Sequence, residues 1–246
     1  MAITTTTTAA NILNTAAAEA GIAPVADPYA SDDKTFQQMR YLLNTAGVEL
    51  CLAHPWEFLV SETTINSALP DQETFDLPDD FYYIIPQTGW SQSQRIPLGG
   101  PLTAQEWTYL KGRDLAQNTL YSSFRLFDGK IGFYPAPPET GFEFTYEYIS
   151  KNWVIDADDN TLRKDEVTKA GDKPLFDKTL ISRYLKLKYL ESANFDTNKA
   201  QGDFNQIFDF LTGKDKSGKV LNAGNYGAGY RYISIWNAPD TGYGTP

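Results

Sequence analysis

Residues 142–149 read Phe-Glu-Phe-Thr-Tyr-Glu-Tyr-Ile, an alternation of aromatic with mostly polar side chains. A period of two belongs to a strand, because successive side chains there point to opposite faces. The stretch predicts one face made of Phe142, Phe144, Tyr146 and Tyr148, and an opposite face of Glu143, Thr145, Glu147 and Ile149. That is the pattern of a half-buried antiparallel strand. Phe144 and Tyr146 are expected inside, Glu143 and Glu147 exposed or facing a neighbour. Just upstream, Asp128-Gly129 separates YSSFRLF from KIGFYP. Asp-Gly supplies the two positive φ angles of a type I′ turn, so Tyr121 to Tyr134 reads as a hairpin feeding the long strand.

Helical periodicity lies on both sides of this region. Ala9, Ile12, Leu13, Ala16, Ala17 and Ala20 mark one helical face, with Thr8 placed to cap it and Gly21 to end it. A second helix begins after Ser31, Asp32 and Asp33, buries Phe36, Met39, Leu43, Ala46, Leu50 and Ala53, and is limited by Pro55. The helical pattern returns at Asp177, where Leu180, Ile181, Tyr184, Leu185, Leu187 and Leu190 form an apolar face too wide for one partner. That helix is expected to be central. Phe204, Ile207, Phe208 and Leu211 define a last helix that stops near Gly213.

Between the helix pairs the code is that of short strands. WEFLVSETTI is followed by ETFDLPDDFYYII, in which Pro78 forces a break. Thr103 to Glu106 has capping-box spacing and predicts a short helix from about Ala104. A further turn and strand are expected around Ala157 to Asn160. The fold class is therefore α+β: a helical bundle frame of two N-terminal and two C-terminal helices, an inserted antiparallel β-sheet or sandwich module, and an extended C-terminal arm. The expected boundaries are 1–55 for the first helices, 56–164 for the β module, 165–213 for the last helices and 214–246 for the arm. The arm combines glycines with Tyr226, Tyr230, Tyr232, Ile235 and Trp236, which are the candidate partner-interface residues. Such a cluster docks on its own domain or on a neighbour, because exposed apolar clusters are rare on monomers.

Charge narrows the function. A formal net charge of −10 argues against gripping phosphates over a broad basic surface, yet it suits a wall past which DNA slides. No window is apolar enough for a membrane span, and the N-terminus lacks the basic region of a secretory signal. Cys51 is the sole cysteine and His54 the sole histidine, which leaves no zinc set and only one conceivable nucleophile pair. Both are read as packing residues at a helix end. Asp156, Asp158, Asp159 and Asn160 resemble the start of a calcium loop, but Thr161 and Val167 stand where glycine and glutamate are needed. The stretch is read as an acidic turn. No catalytic residue, cofactor or metal site is assigned.

The layout resembles the head-to-tail adaptor, or connector, proteins of short-tailed tailed phages, the tail tubular protein A or gatekeeper type. The resemblance is carried by TFDLPDDFYYIIPQTGW, RIPLGGPLTAQEW, GKIGFYPAPPETGFEFTYEYISKNWV, FDKTLISRYLKLKYLESANFD and VLNAG, in family order over most of residues 10–225. It implies a virion structural protein without enzymatic activity, assembled in the host cytoplasm. It also implies a homo-oligomeric ring, usually of twelve copies, that joins the portal protein at the capsid vertex to the tail nozzle protein. Packaged DNA would pass through the channel without sequence-specific binding, and no membrane is involved. A different reading of the residues is a carbohydrate-binding or glycan-degrading tail component that uses Trp90, Trp107 and Trp153 as a platform. A third is a β-rich module that binds a protein through its aromatic tail.

Overall fold

The computed structural model describes residues 7–93, 95–112, 123–137 and 140–215. They form an α+β fold with two hydrophobic cores, one helical and one between sheets. Helices α1 (Ala9–Glu19), α2 (Lys34–Ala53), α4 (Lys178–Ser192) and α5 (Asn198–Asp215) make the frame. The strands and the short α3 (Ala104–Gly112) lie between α2 and α4 in the chain.

Local chemistry sets the helix ends. Asp33 accepts a hydrogen bond from the Thr35 amide at 2.9 Å, and Asp177 accepts from Thr179 and Leu180 at 2.8 and 3.2 Å, so both act as side-chain N-caps. The capping box of α3 is closed in both directions: the Glu106 amide donates to Thr103 Oγ1 and the Thr103 amide to Glu106 Oε2. At the end of α1, Gly21 has φ +80°, and the Gly21 and Ile22 amides donate to the carbonyls of Ala18 and Ala17. This is the Schellman pattern that a left-handed glycine permits. Three expectations need correction. Thr8 precedes α1 without a side-chain cap; instead the amides of Ala9 and Ala10 donate to the carbonyls of Asp172 and Ala170, a tertiary cap no local pattern announces. Ala53 is exposed, and Gly47 and Cys51 are buried on α2 in addition to the expected residues. Helix α5 runs through Gly213 to Asp215, whose carboxylate accepts from the Glu57 amide at 3.0 Å and so ties the last turn down.

Strand β8 (Glu143–Ser150) is the long aromatic strand, and it is central to the largest sheet. It pairs along its length with β1 (Val60–Asn66), and on its other edge with β3 (Phe81–Ile84) and β4 (Trp90–Ser91), which continues to β5 (Ile96–Pro97). All these pairs are antiparallel. The hairpin β6 (Ser123–Phe127) and β7 (Lys130–Tyr134) turns at Asp128 and Gly129 with φ 50° and 67°, as the Asp-Gly signal predicts. It does not extend the β8 sheet. With β2 (Thr74–Asp76) it forms a separate sheet that packs across β8, and Phe133 stacks on Phe144 at 4.2 Å between ring centres. Phe75, Phe124, Ile131, Tyr146 and Tyr148 complete this inter-sheet core.

The second face of β8 is also covered, which corrects the half-buried reading. Thr145 and Ser150 are buried, Ile149 is fully buried, and Ile149 belongs to the helical core. Glu143 stays exposed and Glu147 partly so. Beyond β8, Trp153 enters the same helical core, followed by a small sheet of β9 (Val154–Ile155), β10 (Arg163–Lys164) and β11 (Lys173–Pro174). Helix α4 lies at the centre of the frame, as its wide face predicts, and contacts α1, α2 and α5. Tyr184 stacks on Phe204 of α5 at 4.4 Å, and Lys188 reaches Glu49 of α2 at 2.8 Å.

One close approach is diagnostic. A Cβ at Gly47 would lie 2.1 Å from the Trp153 ring, which is wholly buried. Gly to Ala within a helix ordinarily stabilises by up to ~1 kcal/mol. Here Gly47→Ala is expected to destabilise by about 1–3 kcal/mol through overpacking, read as a lower urea midpoint. In a Trp153→Leu background, where the ring is gone, the same change should cost measurably less.

Candidate assembly surfaces

The acidic segment after β9 is a charge-paired structural loop. The Asp158 amide donates to Asp156 and the Thr161 amide to Asp159, at 2.8 and 2.9 Å. Ammonium groups stand beside the acids: Lys164 Nζ lies 2.8 Å from both Asp156 and Asp172, Lys169 pairs with Asp158, and Lys173 donates to Asn160 at 2.9 Å. Asp172 is fully buried and is the hub of the loop. Its carboxylate accepts from the amides of Ala157, Thr168 and Lys169, and its carbonyl accepts from Ala9 at the start of α1. Burial pushes the Asp172 pKa up, but the Lys164 hydrogen bond and the three amides outweigh it and hold the group below its ordinary value. Hydrogen bonds from Lys164 and the Asp158 amide lower Asp156 to about 2.

Neither reactive residue type is poised for chemistry. Cys51 is buried in the helical core, and burial pushes its thiol up to about 12, the opposite of what a nucleophile needs. His54 stands at the end of α2 with Nε2 3.2 Å from Asp215 Oδ2 and its ring edge-on to Trp56. It therefore links the ends of α2 and α5, more than the packing role its sequence position suggests. Trp107 packs against Phe127 and Tyr134 beneath Lys111, and Trp153 is in the frame core. Of the three tryptophans considered as a glycan platform, Trp90 alone is exposed. The arm residues Tyr226, Tyr230, Tyr232, Ile235 and Trp236 lie outside the described residues.

The surface that sequence periodicity did not single out is on α2. Tyr41, Thr45, Val48 and Leu52 recur at i, i+4, i+7 and i+11, on the side away from the buried stripe, and all four are exposed. Tyr41 and Leu52 are 78% and 59% exposed, so this is a real opening rather than a partly covered edge. At 1.5 Å per residue the line is ~17 Å long and carries no charge. Its signal in the sequence is a second apolar line on the same helix, offset from the buried stripe of Phe36, Met39, Leu43, Ala46 and Leu50. The α4 face is used up within the chain, by α1, α2 and α5.

A family model described as SU10 adaptor protein matches residues 7–220, which span both cores and all the helices and strands above. The chain belongs to this family. It is a phage head–tail adaptor, a structural protein of the virion. No curated protein matches the chain. The adaptor match ends before the aromatic segment, so residues 221–246 fall beyond the part shared with the family model. No helix among the described residues of the adaptor is long and apolar enough to cross a membrane.

The Asp172 hub gives a test of the loop. Asp172→Asn replaces a buried acceptor oxygen by an NH2 group among donors, while Lys164 keeps Asp156, and is expected to destabilise the adaptor by roughly 1–3 kcal/mol. Because the folded pKa is depressed, the stabilisation is complete above the unfolded value of about 3.9 and is lost as pH falls through the folded value. Urea unfolding followed downward from pH 7 should therefore show a steep acid loss in the parent and a flatter one in the variant.

Proposed function

We propose that the adaptor forms a closed ring, of twelve copies by resemblance to the tail tubular protein A type, between the portal protein at the capsid vertex and the tail nozzle protein. The helical frames pack side by side, and the β module projects outward or toward the tail. The observation that carries this reading is the uncharged line Tyr41, Thr45, Val48 and Leu52 on α2, which the described residues leave uncovered. A line of this kind on a soluble structural protein is a subunit contact in waiting. The ring encloses part of the DNA channel. A charge of −10 per copy makes such a ring strongly negative, so packaged DNA slides through without sequence-specific binding during ejection. The protein seals and extends the portal without catalysis. Tyr226, Tyr230, Tyr232, Ile235 and Trp236 on the arm supply a further contact, to the portal or to a neighbouring subunit.

Native mass measurement of the purified protein, alone and mixed with its portal, should reveal a ring in at least one of the two samples; single subunits in both would sink the proposal. Replacing Val48 and Leu52 together by Asp is expected to abolish ring formation while shifting monomer stability by no more than ~0.5 kcal/mol per site. Circular dichroism and urea melts check the second half of that statement. Removing residues 219–246 should leave the fold intact and weaken ring or portal association, as read by the concentration at which assemblies dissociate.

A further inference from the structure

The last turn of α5, the first turn of α4 and the segment after α2 enclose an apolar groove of about 160 Å³. Trp56, Phe58, Phe176, Leu180, Phe210 and Leu211 line it. Its size is close to that of an apolar cavity able to hold a benzene ring. Phe210 is 56% exposed, so the groove opens outward instead of closing into the core. Two acids, Asp177 and Asp215, stand at its rim together with Lys214, whose ammonium lies over the Phe210 ring at 4.2 Å. Helix α5 ends at Asp215, which the Glu57 amide and His54 hold in place. The chain therefore leaves the frame at the mouth of this groove.

What leaves there is the aromatic arm. Its segment 230–236, Tyr-Arg-Tyr-Ile-Ser-Ile-Trp, offers three aromatic rings and two isoleucines around a single cation, Arg231. The intervening 216–229 stretch contains Gly218, Gly224, Gly227 and Gly229. The ends of a random coil of that length lie about 20 Å apart in the root mean square, and tethering over such a distance gives an effective concentration in the millimolar range. A second copy would have to match that concentration in solution. We propose that in the free adaptor the segment 230–236 folds back onto the groove of its own subunit, seating one aromatic ring against Trp56, Phe176 and Phe210 with Arg231 near Asp177 and Asp215. This goes beyond the ring and does not depend on it, since the test uses isolated subunits.

Phe210→Cys combined with Ile235→Cys in the full chain, oxidised gently at low protein concentration, should give an intrachain disulfide in the monomer. The natural Cys51 is 1% exposed and stays silent. The reaction should run at least ~10-fold faster than for Asp209→Cys with Ile235→Cys, a pair tethered as closely but outside the groove lining, since tether length alone would give the two similar effective concentrations, and Arg231→Glu should slow it. Equal rates for the two pairs would overturn the proposal. So would cross-links found only between chains, which would make a neighbour the occupant. Hydrogen exchange supplies a readout without cysteines. Amides of residues 56–58 and 178–181 should exchange more slowly in the full chain than in a chain ending at residue 218, and identical exchange would also overturn the proposal.

Discussion

The fit of the Trp153 ring into the notch left by Gly47 joins the two halves of this protein. Trp153 comes three residues after β8, where the chain leaves the β module, and its ring occupies the space a side chain on α2 would fill. From there Trp153 also meets Phe176, and its carbonyl accepts from the Leu175 amide at 2.9 Å, which sets the approach to α4. Ile149, four residues earlier, puts the sheet itself into the helical core. The frame and the β module are thus coupled by packed side chains: Ile149 and Trp153 lie in the helical core, and Val60 of β1 with Tyr82 and Tyr83 of β3 pack against it. For an adaptor this matters. A load applied to either part reaches the other through close-packed side chains, which deform little.

Electrostatics fix the frame at a second place. The acids that imitate a calcium loop are drawn together by lysines, and the buried Asp172 converts that cluster into a cap for α1. Buried carboxylates are tolerated only when their lone pairs are filled, and Asp172 meets this with three amides and Lys164. The first helix, otherwise a small alanine-rich segment, is held by this loop at its N-terminus and by α4 along its length.

The outer surface divides accordingly. On α4 the apolar residues are buried or half-buried, whereas on α2 Tyr41, Val48 and Leu52 form an exposed, uncharged line among the described residues. The pairing of Asp215 with His54 and the Glu57 amide holds the end of α5 against the start of the β module.

The sequence by itself determined the elements whose cause is local. Alternation from Phe142 to Ile149 made a strand, Asp128-Gly129 made a type I′ turn, Asp33, Asp177 and Thr103 with Glu106 started helices, and Gly21 ended one. It also carried the adaptor family, because a series of segments in order survives without a catalytic motif. Tertiary structure decided the rest: that the hairpin lies across β8 and not beside it, that the polar face of β8 is covered at Ile149, that α1 is capped by Asp172 and Ala170, that α5 outruns Gly213 to reach Glu57, and that α2 keeps an open apolar line. The physical reason is range. Strand and helix periods and turn dihedrals are set within a few residues, whereas Gly47 and Trp153, or Glu57 and Asp215, find each other only after the whole intervening chain has packed.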